Sequence, residues 1–61
     1  NQGKLNEALE LYNKSLKIYI KTIGEENNQT INTYFNVALV HMEFDELDKA
    51  FDINNKSFNL L

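Results

Sequence analysis

The sequence contains no cysteine, no proline and only two glycines among its 61 residues. Without cysteine, neither a disulfide nor a thiolate metal site can stabilise so small a domain, and this absence favours an intracellular, cytoplasmic protein. Helix-breaking residues are rare, which favours a helical fold. No apolar run approaches the ~20 residues that a membrane-spanning helix requires, so we expect no membrane partner. Because the chain begins with Asn1 rather than Met, we expect a piece of a longer protein or a processed product.

Positive charge is too sparse to predict nucleic-acid binding. Residues 1–23 carry four lysines against two glutamates, and residues 24–61 carry two lysines against seven acidic residues. Arginine is absent, and the lysines do not form a dense cluster. Contacts with a phosphate backbone require several cations on one face. The net charge of −3 therefore belongs to solvated helix surfaces, and we expect no nucleic-acid partner.

The most informative feature is an internal repeat at an offset of 42 residues. The segment EALELYNKSL, residues 7–16, returns as KAFDINNKSF, residues 49–58. Apolar, small and charged positions recur together, so chance is a poor explanation. Internal similarity with a period of roughly 20–50 residues is typical of helical-repeat proteins. The matched pairs include Leu5/Leu47, Ala8/Ala50, Leu9/Phe51, Leu11/Ile53, Ser15/Ser57, Leu16/Phe58 and Ile18/Leu60.

Apolar spacing predicts a first helix over residues 3–23. Its main stripe steps by three and four residues, as one face of a helix requires. Leu11 and Ile18 form a second apolar stripe, and Gly24 can adopt the left-handed conformation that ends a helix. The Glu10/Lys14 pair, repeated as Asp52/Lys56, has the favourable acid-then-lysine order. The main stripe consists of Leu5, Leu9, Tyr12, Leu16, Tyr19 and Ile23.

Two further helices are predicted after a loop at residues 24–28. Asn27 or Asn28 can cap a second helix over 29–43, which is apolar on most sides and should be the most buried element. A tight turn then leads to a third helix over 46–60, for which Asp45 can act as the cap. The third helix repeats the stripe of the first, through Leu47, Ala50, Phe51, Asn54, Phe58 and Leu61.

The loop GEENNQT and the segments TYFNVALVH and DELDKAFDINNKSF resemble the tetratricopeptide repeat family, and specifically its 42-residue, kinesin-light-chain-like type. The resemblance covers almost the whole chain. It implies an all-α fold of antiparallel helical hairpins in an α-solenoid. Residues 3–23 would be helix B of a preceding repeat, 29–43 helix A and 46–60 helix B. Small residues would mark the close contacts between helices, at Ala8, Ala38, Ala50, Ser15 and Ser57.

Three positions depart from the family pattern. Asp45 stands where a turn glycine is usual, and it can enter left-handed space at some cost. Asn28 replaces the proline usual before helix A, and His41 replaces an aromatic residue.

The resemblance implies a scaffold that binds a peptide or protein partner through the concave face of helix A. Asn36 matches an asparagine that in many such repeats bonds the backbone of a bound peptide. In a chain with ten asparagines, Asn36 could instead be simply exposed, and Phe35 and Leu39 could pack on a neighbouring repeat. The predicted partner-binding residues are Asn32, Phe35, Asn36, Leu39 and Glu43.

A structural alternative is self-association without a separate ligand. One and a half repeats cannot cover their own apolar faces, because about three repeats are normally needed for a stable stack. Such an isolated unit could therefore form a homo-oligomer. The residues predicted for this role are those of the second stripe, Leu11, Ile18, Ile53 and Leu60.

The sequence predicts neither enzymatic activity nor a cofactor. His41 is the only histidine, and without cysteine or a second histidine it makes a poor metal ligand set. No nucleophile or glycine-rich phosphate loop accompanies it, so a packing role is the better interpretation.

Overall fold

The computed structural model describes residues 2–60 and consists of three α-helices joined by two short turns. They are α1 (Gln2–Thr22), α2 (Asn28–Glu43) and α3 (Leu47–Leu60), with bounds at most one residue from those predicted. The middle helix, α2, contacts both α1 and α3, which gives two successive helical hairpins. The predicted all-α fold is therefore confirmed. The predicted stripe position Leu61 lies outside the described residues.

The connection between α1 and α2 follows the predicted chemistry. Gly24 has a φ of 85°, and its amide donates to the carbonyl of Tyr19 at 2.9 Å, so glycine ends α1 in the left-handed conformation. The Asn27 side chain accepts a hydrogen bond from the amide of Gln29 at 2.9 Å and thus caps α2. The fully buried Thr30 donates its hydroxyl to the Gly24 carbonyl at 2.8 Å, which fixes the loop against the start of α2.

The turn between α2 and α3 is a Schellman motif centred on a non-glycine residue. Asp45 has a φ of 62° and donates its amide to the Met42 carbonyl at 2.9 Å, while the Glu46 amide donates to the His41 carbonyl at 2.8 Å. The first backbone bond of α3 runs from Ala50 to the Glu46 carbonyl. Glu46 therefore occupies the cap position of α3 that the sequence assigned to Asp45, because Asp45 is already used in the left-handed turn.

Asp45→Gly should stabilise the chain. Glycine adopts a positive φ without the steric conflict that an L side chain meets, but it loses more chain entropy on folding. The net result should be a gain of about 0.5–1 kcal/mol in the free energy of unfolding. Chemical denaturation measures this. The matched control is Asp52→Gly in the middle of α3, which should destabilise by about 1 kcal/mol. A loss of stability with Asp45→Gly would contradict the strain argument.

The core is thin and centred on α2. Leu16 from α1 packs with Tyr34 and Val37 from α2, and all three are buried. Leu9 and Tyr12 of α1 and Ile53 and Leu60 of α3 pack around this cluster. Seven of the buried residues lie on α2, which confirms that it is the most buried element. They are Thr30, Ile31, Thr33, Tyr34, Val37, Ala38 and Val40.

Small residues lie on the buried sides of α2 and α3. Ala38 on α2 and Ala50 on α3 are almost fully buried. Ser57, two turns further along the same side of α3, is fully buried and donates its hydroxyl to the Ile53 carbonyl at 3.0 Å. Small side chains at these positions let two helices approach. The Ser57 hydroxyl has its hydrogen-bond partner on its own helix, so it needs none on another helix.

Candidate functional site

One side of α2 is left uncovered by its two neighbours. Because the buried residues of α2 together cover one side of the helix, the residues on the opposite side point to solvent. The predicted partner-binding residues are found on that opposite side. Four of them are exposed and one, Phe35, is half-buried. The exposed four are Asn32, Asn36, Leu39 and Glu43, which we call the α2 stripe.

Phe35, a predicted partner-binding residue, packs against another side chain of the same chain. Its ring meets the ring of Phe58 on α3 edge to face, with centroids 5.7 Å apart and an interplanar angle of 76°. The sequence left open whether Phe35 packs or binds. Its contact lies within the chain, at the border between the α2 stripe and α3.

The residues predicted for self-association do not form one exposed stripe. Leu11 and Ile18 on α1 are 64% and 60% exposed. Ile53 and Leu60, their equivalents on α3, are half-buried and pack against the core cluster. The difference arises because α3 has α2 on that side, whereas the corresponding side of α1 has no described helix against it.

The Schellman turn carries a polar cluster that sequence reasoning missed. His41 Nδ1 lies 3.0 Å from Glu46 Oε1, and Lys49 Nζ donates to Glu46 Oε2 at 3.0 Å. An ionised carboxylate can only accept hydrogen bonds, so His41 is the donor through Nδ1. The His41 bond, and then that from Lys49, lower the pKa of Glu46 below its usual range. His41 thus fastens the end of α2 to the start of α3, in agreement with a structural role.

A second cluster ties the first loop to α3. Lys56 Nζ lies 3.5 Å from a Glu25 carboxylate oxygen and 5.1 Å from the centroid of the Tyr34 ring, and the Tyr34 hydroxyl donates to Glu25 at 3.3 Å. Tyr34, and after it Glu25, raise the pKa of Lys56. The sequence predicts Asp52 as the partner of Lys56. This prediction is wrong, because Lys56 pairs with Glu25, a residue that is distant in sequence.

The equivalent pair in the first copy behaves as predicted. Lys14 and Glu10 form an ion pair at 3.4 Å on the exposed side of α1. No loop residue competes for Lys14 among the ion pairs described, so the local helical spacing decides its partner.

Other kinds of site find no support in the part of the chain that the structure describes. Within residues 2–60, no group of three histidine or acidic side chains is placed to hold a metal ion. None of the helices α1 to α3 is long and apolar enough to cross a membrane.

The two hairpins, the buried small residues and the 42-residue repeat are typical of a known family. The family model for the tetratricopeptide repeat covers residues 1–61. The chain belongs to the tetratricopeptide repeat family. Tetratricopeptide repeats are generally protein–protein interaction modules that bind protein partners, and they are typically non-catalytic scaffolds. No similar protein was found among curated proteins, and none among solved structures.

This tetratricopeptide repeat chain also exposes part of the apolar stripe that the sequence predicts on the third helix. Leu47, Phe51 and Phe58 on α3 are exposed, although their equivalents in the first copy belong to the covered stripe. The 42-residue repeat predicts that these three positions are apolar. Within residues 2–60, α2 packs against this stripe on α1 but against a different side of α3, so the stripe on α3 is exposed.

Proposed function

We propose that this tetratricopeptide repeat chain binds an extended peptide segment of a protein partner along the α2 stripe. The observation that supports this is the side-by-side exposure of two amides and a leucine on one helix face. Asn32 and Asn36 are one turn apart, and Leu39 follows on the same side. The 42-residue period favours the kinesin-light-chain-like type as the setting for this role.

The chemistry of the stripe fits a peptide backbone better than a small molecule. An asparagine amide both donates and accepts, so it can bond the N–H and the C=O of one extended residue. Leu39, 58% exposed, offers an apolar contact for a side chain of the same peptide. Glu43 adds a negative charge at the far end of the stripe, which favours a peptide with a basic residue there.

The test is selection of peptides from a displayed random library of dodecapeptides, followed by affinity measurements on variants. Asn36→Ala should weaken the selected peptides about three- to tenfold, as expected for the loss of one or two hydrogen bonds. Asn55→Ala, which removes an exposed amide from α3, is the matched control and should change nothing. Peptides that bind equally well to the Asn36→Ala variant would contradict the proposal.

The structural alternative is self-association through the stripe predicted on the outer helices. The observation that favours it is the exposure of Leu11 and Ile18 on α1. Sedimentation of wild type and of Leu11→Ser/Ile18→Ser separates the two functions. A dimer that this double variant abolishes, without any selected peptide binding, would support self-association instead.

A further inference from the structure

A group of lysines lies on the outward side of α1. Lys14, Lys17 and Lys21 are exposed at spacings of three and four residues, on the side of the helix turned away from the buried Leu16. Lys14 pairs with Glu10 of its own helix, but none of the ion pairs described within residues 2–60 involves Lys17 or Lys21. We call the three lysines the basic patch. Because α1 contains no acidic residue after Glu10, its second half keeps a net positive charge.

The outward side of α3 carries the opposite charge. Asp48 and Asp52 are exposed one turn apart, on the side of the helix turned away from the buried Ala50. Both lysines of α3 are held by a glutamate that lies outside this helix. Asp48 and Asp52 therefore have no ion-pair partner among the ion pairs described within residues 2–60. We call these two residues the acidic patch.

The two patches belong to one surface of the molecule. The helices α1 and α3 are equivalent in the repeat, and each packs on α2 with its patch turned away. Both helices run antiparallel to α2, so the second half of α1 and the first half of α3 lie at opposite ends of this outward surface. Peptide binding to the α2 stripe leaves the outward surface uncovered, as does the packing of further helices on the apolar sides of α1 and α3.

The placement of the patches fits a second copy of the chain. A surface with opposite charges at two separate places can pair with itself about a twofold axis, because each basic patch then meets the acidic patch of the other copy. An acidic ligand, by contrast, would use the basic patch alone. Lys17 also borders a shallow groove of about 400 Å³ together with Asn6 and Asn13, so an incoming carboxylate meets amide donors beside the lysine.

We propose that the outward surface is a self-association surface, on which two copies of the chain pair back to back through their basic and acidic patches. All the charged groups involved are exposed, so each ion pair is weak and the pairing depends strongly on salt. The net charge of −3 on each copy opposes the pairing, and the separation of charge into two patches offsets this repulsion at short range. The pairing uses no residue of the α2 stripe and none of the apolar residues predicted for self-association.

Sedimentation velocity over a concentration series tests the pairing with charge-reversal variants. The wild type should self-associate, and raising the salt from about 0.05 to about 0.5 M should weaken association at least about fivefold. Lys17→Glu/Lys21→Glu and Asp48→Lys/Asp52→Lys should each weaken it about tenfold, because each variant then carries like charges on both patches. An equimolar mixture of the two variants should form a mixed dimer with roughly the wild-type affinity, since opposite charges face each other again.

Glu26→Lys is the control for a change in net charge. It alters the net charge as much as Asp52→Lys does, but it lies in the first loop and on neither patch, so it should not weaken association. An equal loss of association in both variants would overturn the proposal. If a thermal melt shows that a double variant is unfolded, Lys17→Glu and Asp52→Lys take the places of the double variants, with the same outcomes.

The remaining outcomes separate other occupants and other surfaces. A chain that stays monomeric throughout the series at low salt refutes the proposal, and so does a mixture of the two variants that stays monomeric. Association that only Leu11→Ser/Ile18→Ser abolishes belongs to the apolar side of α1 and overturns it. Binding of a hexaglutamate peptide to a monomeric chain assigns the basic patch to an acidic partner and also overturns it. The Asn36→Ala variant should associate like the wild type, so failure here is distinct from failure at the α2 stripe.

Discussion

Leu16→Ala should lower the free energy of unfolding by about 2–4 kcal/mol. Leu16 is the only residue of α1 that is buried among those described, and it contacts Tyr34 and Val37 at the centre of the core. Truncation removes apolar contact from the junction of α1 and α2 and leaves a cavity that a thin, three-helix core cannot easily close. Urea denaturation followed by circular dichroism measures the change.

Leu11→Ala is the matched control for that substitution. It removes the same atoms from the same helix at a position that is mostly exposed, so the change should stay within about 0.5 kcal/mol. Equal losses for Leu11 and Leu16 would mean that α1 packs on α2 through a different face.

Ala50→Leu should cost about 1–3 kcal/mol, because it places three extra carbon atoms at a buried position of α3. Ala50 is 3% exposed, and Ala38 on the facing helix is 1% exposed. The larger side chain forces the helices apart and disturbs the burial of Ser57 on the same side. Thermal denaturation of the variant and the wild type measures the loss.

Ala8→Leu tests the same substitution at the equivalent place in the first copy. Ala8 is half-buried, whereas Ala50 is buried, so the replacement of Ala8 should cost much less than that of Ala50. A melting temperature unchanged by Ala50→Leu would rule out the close helix crossing.

Local sequence signals were sufficient to predict the three helices, the way in which α1 ends and the way in which α2 begins. The three- and four-residue spacing of apolar side chains, the glycine at position 24 and the asparagine cap at position 27 all act within a few residues. The same holds for the Glu10/Lys14 pair, whose geometry is set by one turn of helix.

Tertiary contacts could not be predicted in the same way. Lys56 pairs with Glu25 rather than Asp52, because folding brings the first loop beside α3. Leu9 and Phe51 have equivalent patterns, yet one is packed against the core and the other is exposed. The repeat specifies which faces are apolar, but coverage depends on which helices are neighbours. For the α2 stripe, the sequence predicted residues that lie on one face, and Phe35 differs because its ring packs against Phe58.

The position of α2 between the two outer helices also determines how the chain can open. Either outer helix can detach while the other remains packed on α2, because each one makes its own contacts with it. Opening of α2, by contrast, removes the support of both neighbours at once and amounts to global unfolding. Partially unfolded forms therefore keep one hairpin intact, and the α2 amides are the last to lose protection.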